Sequence, residues 1–454
     1  MIAVAKTIRS VFGAGAMPVH HLRQIGHLLS GNAASSVLML VSVGIAARAL
    51  TTEKFGVFVL VLTFVRLVER IARFESWQPL IKFASELEAA GDMRQLSRLH
   101  LYGLMLDVAA AATAAAAAVL IAGFFAPMVG LSDAYFELVA IYSVATLCNV
   151  TGMPTAALRL AGRFRTIAYV QLPGQVLRIG FALMCWHYGL GVKSFLVAWA
   201  AAQVLGSALF LHRGFAALRA EGVPNPLRAS PRHLRRDFPG FLSFASSTNL
   251  SMTMRTLTQE ADTLLVGGLA GPTQAGFYHL AKRLAKLAQQ VGAQAQAVLY
   301  PDMARLWTRK DRAALRALTG RVQLALGGIG IAVLLVAVVA GEAFVTTAVG
   351  SNYAAVGPLL IAQIVSVIFI MHAAPSRSVL LSMGRPQLVL VVVAFGTALF
   401  FAGALLLIPH LGAMGASLAQ ILFAAFVALW MDVAWRAGLK RAPDPIAPRR
   451  TGPP

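Results

Sequence analysis

Between Phe55 and Trp77 the sequence FGVFVLVLTFVRLVERIARFESW places Arg66, Glu69, Arg70 and Arg73 at i, i+3, i+4 and i+7. On a helix these four side chains form one stripe. The rest of the stretch is mostly Val, Leu, Phe and Ile. A cation near the centre of a bilayer costs roughly 2.5–3.5 kcal/mol on insertion scales. The stripe is therefore expected to face a water-filled cavity or another helix, not lipid. Fixed cations in such a cavity would neutralise an anion, so the expected chemistry is binding of an anionic, lipid-linked substrate. The competing reading sends Arg70 and Arg73 to the membrane interface by snorkelling, with Glu69 neutralising one of them. Arg66 lies deeper and fits that reading least.

A second stripe lies in YHLAKRLAKLAQQVGAQAQAV, where Lys282, Lys286 and Gln289 recur at i, i+4 and i+7 with Arg283 beside them. Other polar groups interrupt apolar runs. Arg255, Glu260 and Asp262 occur in SSTNLSMTMRTLTQEAD, with Asp262 within reach of Arg48 or Lys282 by sequence position. Arg178 sits inside QVLRIG and needs a partner or water. Asp107 lies about two turns into its apolar run, as a proton or cation site or as the partner of an arginine. His372 and Arg377 share one later run; the first reads as a hydrogen-bonded histidine, the second as a snorkelling arginine. Whether Arg73, Arg178, His372 and Arg377 face a cavity is left open by spacing alone. Glu69, Asp107 and Asp262 are the candidate ion-coupling carboxylates, by residue type and position.

The elements that must position these groups are membrane helices. The chain has 454 residues, 58% hydrophobic and only 13% charged, with a mean hydropathy of +0.72. Soluble domains carry about 25% charged residues. Twelve stretches, approximately, can span a bilayer. The first six are Gln24–Leu50, Phe55–Trp77, Leu99–Phe125, Tyr135–Leu158, Thr166–Tyr188 and Val192–Phe215. The second six are Phe241–Gly267, Gly276–Leu299, Val322–Val339, Val356–Leu380, Leu388–Ile408 and Ala413–Trp435. The second, seventh and eighth are the most polar.

The net charge of +21 is explained by where it lies. One set of connecting segments carries Lys82, Arg94 and Arg98; Arg159, Arg163 and Arg165; Arg228, Arg232, Arg235 and Arg236; Arg305, Arg309, Lys310, Arg312 and Arg316; and Arg385. The opposite set carries Lys54 and Lys193, with Arg48 just inside a helix end. The asymmetry places the basic loops and both termini of a multi-pass membrane protein in the cytoplasm. It removes the need for a nucleic-acid partner. The two cysteines, Cys148 and Cys185, lie in apolar runs and suggest neither a disulfide nor a zinc site. No cleavable signal peptide is evident. Neither a Walker-type phosphate loop nor a metal-ligand cluster is found, and no cofactor or enzymatic reaction is expected.

The two halves repeat at an offset of about 220 residues. Gly56-Val57-Phe58 meets Gly276-Phe277-Tyr278, Asp92 falls near Asp311, Pro154 near Pro375, and Leu160-Ala161-Gly162-Arg163 meets Ser382-Met383-Gly384-Arg385. Arg66 falls on Lys286. The expected domains are a cytoplasmic segment 1–23, a six-helix lobe 24–216, a basic linker 217–240, a second six-helix lobe 241–436 and a disordered tail 437–454. Six spans per lobe give both copies one orientation, related by a pseudo-two-fold along the membrane normal.

These residues resemble a family. Asn32–Leu60, with Ala47, Arg48, Leu50, Phe55 and Gly56, and Glu260–Leu284, with Asp262, Gly267 or Gly268, Gly276 and Tyr278, are similar to the polysaccharide biosynthesis and O-antigen repeat-unit flippases, as is Pro301 after the eighth helix. That family belongs with the multidrug extruders and lipid II flippases. The resemblance implies an all-α membrane fold of two six-helix lobes. It implies alternating access through a cleft, carrying a polyprenyl-diphosphate oligosaccharide from the cytoplasmic to the outer leaflet for O-antigen, capsule or exopolysaccharide synthesis. Arg66, Arg70, Arg255, Lys282, Lys286, Arg48 and Arg178 would then line a cationic cleft. Membrane lipids, a polysaccharide polymerase and chain-length proteins are the other implied partners. Two alternatives stand beside this one: an exporter of drugs or cations with the same fold, and a non-transporting scaffold of a polysaccharide assembly complex.

Overall fold

The structure is a computed structural model that describes residues 19–72, 76–125 and 133–441; within these, the side chains at 247–259 and 291–302, with several others, are not described. Arg73 lies outside the described residues, as do the side chains of Arg255 and Pro301, the first residues to 18 and the tail beyond 441.

Every regular element among the described residues is helical. In order they are α1 (Val19–Ala49), α2 (Thr52–Ala72), α3 (Trp77–Ala90), α4 (Met93–Phe125), α5 (Asp133–Leu147), α6 (Gly152–Leu160), α7 (Phe164–Tyr169), α8 (Leu172–His187), α9 (Val192–Ala220), α10 (Leu234–Asp237), α11 (Phe241–Ala270), α12 (Pro272–Thr308), α13 (Arg312–Val349), α14 (Val356–Ser382), α15 (Pro386–Leu411) and α16 (Ala413–Arg441). Two short 3-10 turns, Pro226–Arg228 and Ser351–Tyr353, interrupt the connections. Among the described residues, nine helical segments are long and apolar enough to cross a membrane. Helices α2, α11 and α12 are also long, but polar residues keep them out of that set. They are the same three stretches that sequence marks as most polar.

The repeat is visible in the helix boundaries. Helices α1 and α11 end at Ala49 and Ala270, α2 and α12 begin at Thr52 and Pro272, α4 and α13 at Met93 and Arg312, and α9 and α16 at Val192 and Ala413, each pair about 220 residues apart. The caps repeat too. Asp92 Oδ1 accepts from Gln95 N at 2.9 Å, and Asp311 Oδ1 accepts from Ala314 N at 2.9 Å, so matched aspartates start α4 and α13. Gly162 and Gly384 follow α6 and α14 with φ of 65° and 71°. In both places the glycine and the arginine after it donate back to the last helical turn. Only a residue free to adopt left-handed φ closes a helix this way without strain.

The copies also diverge. Where the second half has the single helix α12, the first half has two, α2 and α3, the latter of which the sequence reading leaves as a charged connection. Its apolar face buries Leu80 and Ala84 while Lys82 stays exposed. Where α14 runs unbroken through Pro375, its counterpart is interrupted at residues 148–151 between α5 and α6. Pro154 falls in the first turn of α6, where its missing N–H is tolerated.

Contacts divide the chain into two units, Met1–Leu264 and Leu265–Pro454, with the division inside α11. In the first, α4 packs on α2, α3 and α5, α9 on α6 and α8, and α1 on α8. In the second, α14 is central and packs against α12, α13 and α16, with α15 on α16. The 217–240 segment is part of the first unit's core. Val223, Leu234 and Phe238 are buried with Leu80, Leu96, Leu99 and Phe241 in one apolar cluster.

Candidate functional site

Helix α2 turns the Arg66–Glu69 edge of its stripe toward α5 of the same unit. Arg66 lies within electrostatic range of Tyr142, Glu260 and Glu69. One turn on, Glu69 Oε1 accepts from Asn149 Nδ2 at 2.5 Å. Arg66 and Glu69 are three apart on α2, and Tyr142 and Asn149 seven apart along α5 and its end. The two groups therefore face α5 along its length. Arg70, on the same stripe, is exposed.

Arg178 enters the same region from α8. It is 4% exposed. Its NH1 donates to Gln175 Oε1 at 3.1 Å and lies 3.0 Å from Met39 Sδ, and its NH2 reaches Gln203 Oε1 at 3.4 Å. The guanidinium stands 5.7 Å from the centre of the Trp199 ring. Its Nε is buried without a hydrogen-bond partner. Among the described residues, all of its hydrogen-bond partners are neutral. The charges it feels are those of Tyr142, when ionised, and Arg66. An arginine cannot shed its proton in a protein, and an unbalanced buried charge is costly. Arg66 and Arg178, both within electrostatic range of Tyr142, thus form a cationic region that lacks a full counter-charge at Arg178. Such a region suits an oxyanion, which would accept from guanidinium N–H and tyrosine O–H together.

Beside it lies the interrupted helix. Asp107, on α4, is 6% exposed. Its Oδ2 accepts from Met153 N at 2.7 Å and its Oδ1 from Ser76 Oγ at 2.5 Å. The carboxylate therefore caps the N-terminus of α6, where backbone N–H groups would otherwise be orphaned inside a span. These two bonds give Asp107 a capping role that its sequence position did not disclose. Gly152 has no alternative there, because a Cβ would lie 1.9 Å from Ser76 Oγ and 2.4 Å from Asp107 Oδ1. Glu69, Asp107, Asn149 and Thr151 together border a small recess with Ala110 and Ala111.

The second unit holds its own polar groups. Lys282 Nζ stands 5.9 Å from the Tyr278 ring centre, Arg283 Nε lies 3.4 Å from His279 Nε2, and Lys286 is exposed. Its most connected group escapes the sequence reading. Asp432 on α16 accepts from Gln323 at 2.9 Å, Ser376, Trp435 Nε1 at 3.1 Å and Arg436 at 3.0 Å, and lies 3.2 Å from His372 Nε2. These bonds knot α13, α14 and α16 together. His372 is thus hydrogen-bonded, as its isolation suggests, and Arg377 is half-buried. Near the unit division, Asp262 is 2% exposed and its Oδ1 accepts from Thr263 N at 2.6 Å. Arg48 is exposed.

Of the expected site residues, the structure brings Arg66 and Arg178 within electrostatic range of Tyr142, and Glu69 and Asp107 together at the recess. Sequence reasoning passed over Tyr142, Asn149, Gln175, Gln203 and Trp199. The available signal was neutral polar residues in apolar runs: Gln175 stands three residues before Arg178 on one helix face, and Gln203 interrupts α9.

Comparison with known proteins bears on the family and the fold. A family described as "Polysaccharide biosynthesis protein" matches residues 45–358. The inner membrane protein YghQ of Escherichia coli (strain K12) is 26% identical over 332 residues, spanning 73% of this chain and 93% of its own. An inward-facing multidrug resistance MATE family transporter of the MOP superfamily superposes with a TM-score of 0.71 at 15% identity, covering 96% of this chain and 98% of that one. The lipid II flippase MurJ in an inward closed conformation gives 0.68 at 13% identity, covering 90% and 87%. The fold is therefore the all-helical, two-lobe, extruder-like fold of membrane transporters.

Proposed function

This chain belongs to the polysaccharide biosynthesis protein family, and we propose that it is an inner-membrane flippase for a polyprenyl-diphosphate-linked oligosaccharide. The head group passes from the cytoplasmic to the outer leaflet by alternating access, for surface polysaccharide assembly. The observation that carries this reading is the Arg66–Tyr142–Arg178 cluster. A transporter of cationic drugs would want acidic and aromatic walls, whereas here two arginines stand inside an apolar unit. A scaffold would have no use for a buried guanidinium whose hydrogen-bond partners are all neutral. The diphosphate, or an acidic sugar, supplies the missing negative charge during passage. Arg48, Arg70, Arg255, Lys282 and Lys286 extend the cationic path in this proposal. Glu69, beside the recess, is the first candidate for ion coupling, with Asp107 and Asp262 after it. The similarity to the inner membrane protein YghQ supports an inner-membrane location, and the loop-charge asymmetry supports both termini being cytoplasmic.

Gene deletion tests this. Polyprenyl-diphosphate glycolipids should accumulate and surface polysaccharide should fall, with rescue by the wild type and none by Arg66→Ala that still reaches the membrane. Unchanged glycolipids with raised sensitivity to amphipathic drugs would replace the flippase with the exporter.

A further inference from the structure

The segment joining α9 to α11 is rich in arginine, and loop bias alone accounts for its charge. Loop bias does not account for its being folded. Asn225 caps a 3-10 turn by accepting from Leu227 N at 3.1 Å. Pro226, Leu234 and Phe238 turn inward and are buried. His233 adopts φ 60°, an uncommon left-handed state for a residue with a side chain, and that turn starts α10.

The strap is pinned to the first turns of α4. Ser97 Oγ donates to Pro224 O at 2.9 Å, Arg98 NH2 donates to Arg232 O at 2.6 Å, and Arg98 pairs with Asp237 at 2.5 Å. Tyr102 packs on Phe238 and Phe241, with ring centres 6.3 and 4.8 Å away. These are the residues where α4 enters its apolar span, so the strap lies at the level of the membrane boundary.

What remains outward is uniform in sign. Arg228, Arg232, Arg235 and Arg236 are all exposed, and Leu227 projects beside them with 62% of its surface free. The strap's own acid, Asp237, is neutralised by Arg98. Other acids near this end include Glu88 and Glu221, at the ends of α3 and α9, and Asp92, which caps α4; burial and repulsion from Glu221 raise the Glu88 carboxyl above its usual range. Four exposed guanidiniums and an exposed apolar side chain on one folded strap, held at the membrane boundary, match acidic headgroups with acyl chains beneath them.

We propose that the 223–238 strap is a docking surface for acidic phospholipid, which it holds against the basic side of the first unit. The proposal stands apart from the flippase reading and does not need it. Each arginine near an anionic surface contributes about 1 kcal/mol, or roughly fivefold in affinity.

The test uses the purified full chain in neutral detergent, with thermal unfolding followed as phosphatidylglycerol or phosphatidylcholine is added. Phosphatidylglycerol should raise the unfolding temperature and phosphatidylcholine should not. The variant Arg228→Gln/Arg232→Gln/Arg235→Gln/Arg236→Gln should need at least tenfold more phosphatidylglycerol for the same rise. Its unfolding without lipid should match the wild type, because the four side chains are exposed; Arg235→Gln/Arg236→Gln should show an intermediate loss and serves if the fourfold variant fails to fold. The same number of charges removed at Arg309, Lys310, Arg312 and Arg316 should have a smaller effect. An unchanged phosphatidylglycerol response in the strap variants overturns the proposal. So does an equal loss in the control variant, or an intact lipid response with polysaccharide assembly lost in cells, which would assign the surface to an acidic protein partner.

Discussion

At the scale of single residues, Arg178 carries the most information. Its side chain is buried, and its bonds are to two glutamines and a thioether. If the cluster exists to bind an anion, Arg178 does little for folding. Replacing an ill-compensated buried charge by an apolar side chain of similar length is often neutral or stabilising. Arg178→Met is therefore expected to leave stability in mild detergent within about 1 kcal/mol of wild type, while abolishing complementation of the deletion strain. A loss of several kcal/mol, measured by SDS titration of the purified chain, would make Arg178 a packing residue instead. Arg66 and Arg178 were both legible in the sequence as cations inside apolar runs. Their shared proximity to Tyr142 was not, because spacing orders groups along one helix and says nothing about which helix lies opposite.

At the scale of elements, the interrupted helix sets the local geometry. The α5–α6 break exposes backbone within a span, and Asp107 and Ser76 close it. Asp107→Ala should destabilise the protein by roughly 1–2 kcal/mol, the usual cost of a lost cap. Gly152→Ala should cost about 3 kcal/mol, at the upper end for overpacking, since its Cβ meets two fixed oxygens. Equal stability of both variants and wild type in the same SDS titration would remove the cap from the account. Pro154, three residues beyond the break, is visible in the sequence as a helix disruptor, whereas a distant capping carboxylate is not. The helix termini were better read. Asp92 and Asp311, and Gly162 and Gly384, stand where a cap or a left-handed turn is needed, and local chemistry decides such positions.

At the scale of the whole molecule, the repeat and the loop charges were legible because both are properties of composition over many residues. The role of 217–240 was not. A stretch with four prolines and five exposed arginines reads as a tether, yet it packs Val223, Leu234 and Phe238 into the core of the first unit. Arg98→Ala removes the pairing with Asp237 and the bond to Arg232 O, so limited trypsin digestion should cut between Arg228 and Arg236 several-fold faster than in wild type. Equal cleavage rates would mean that apolar packing alone holds the strap.

The central claim is that two arginines in the first unit recognise the anionic part of a lipid-linked glycan. The most direct measurement is transport in proteoliposomes, using a polyprenyl-diphosphate oligosaccharide extracted from the producing strain and fluorescently labelled. Appearance of the head group on the opposite leaflet is followed by loss of fluorescence to an impermeant quencher. The account predicts transport by the wild type, with initial rates at least tenfold lower for Arg66→Ala and Arg178→Met at equal protein incorporation. Rates indistinguishable among the three proteins, or no glycolipid movement with uptake of a cationic dye instead, would contradict it.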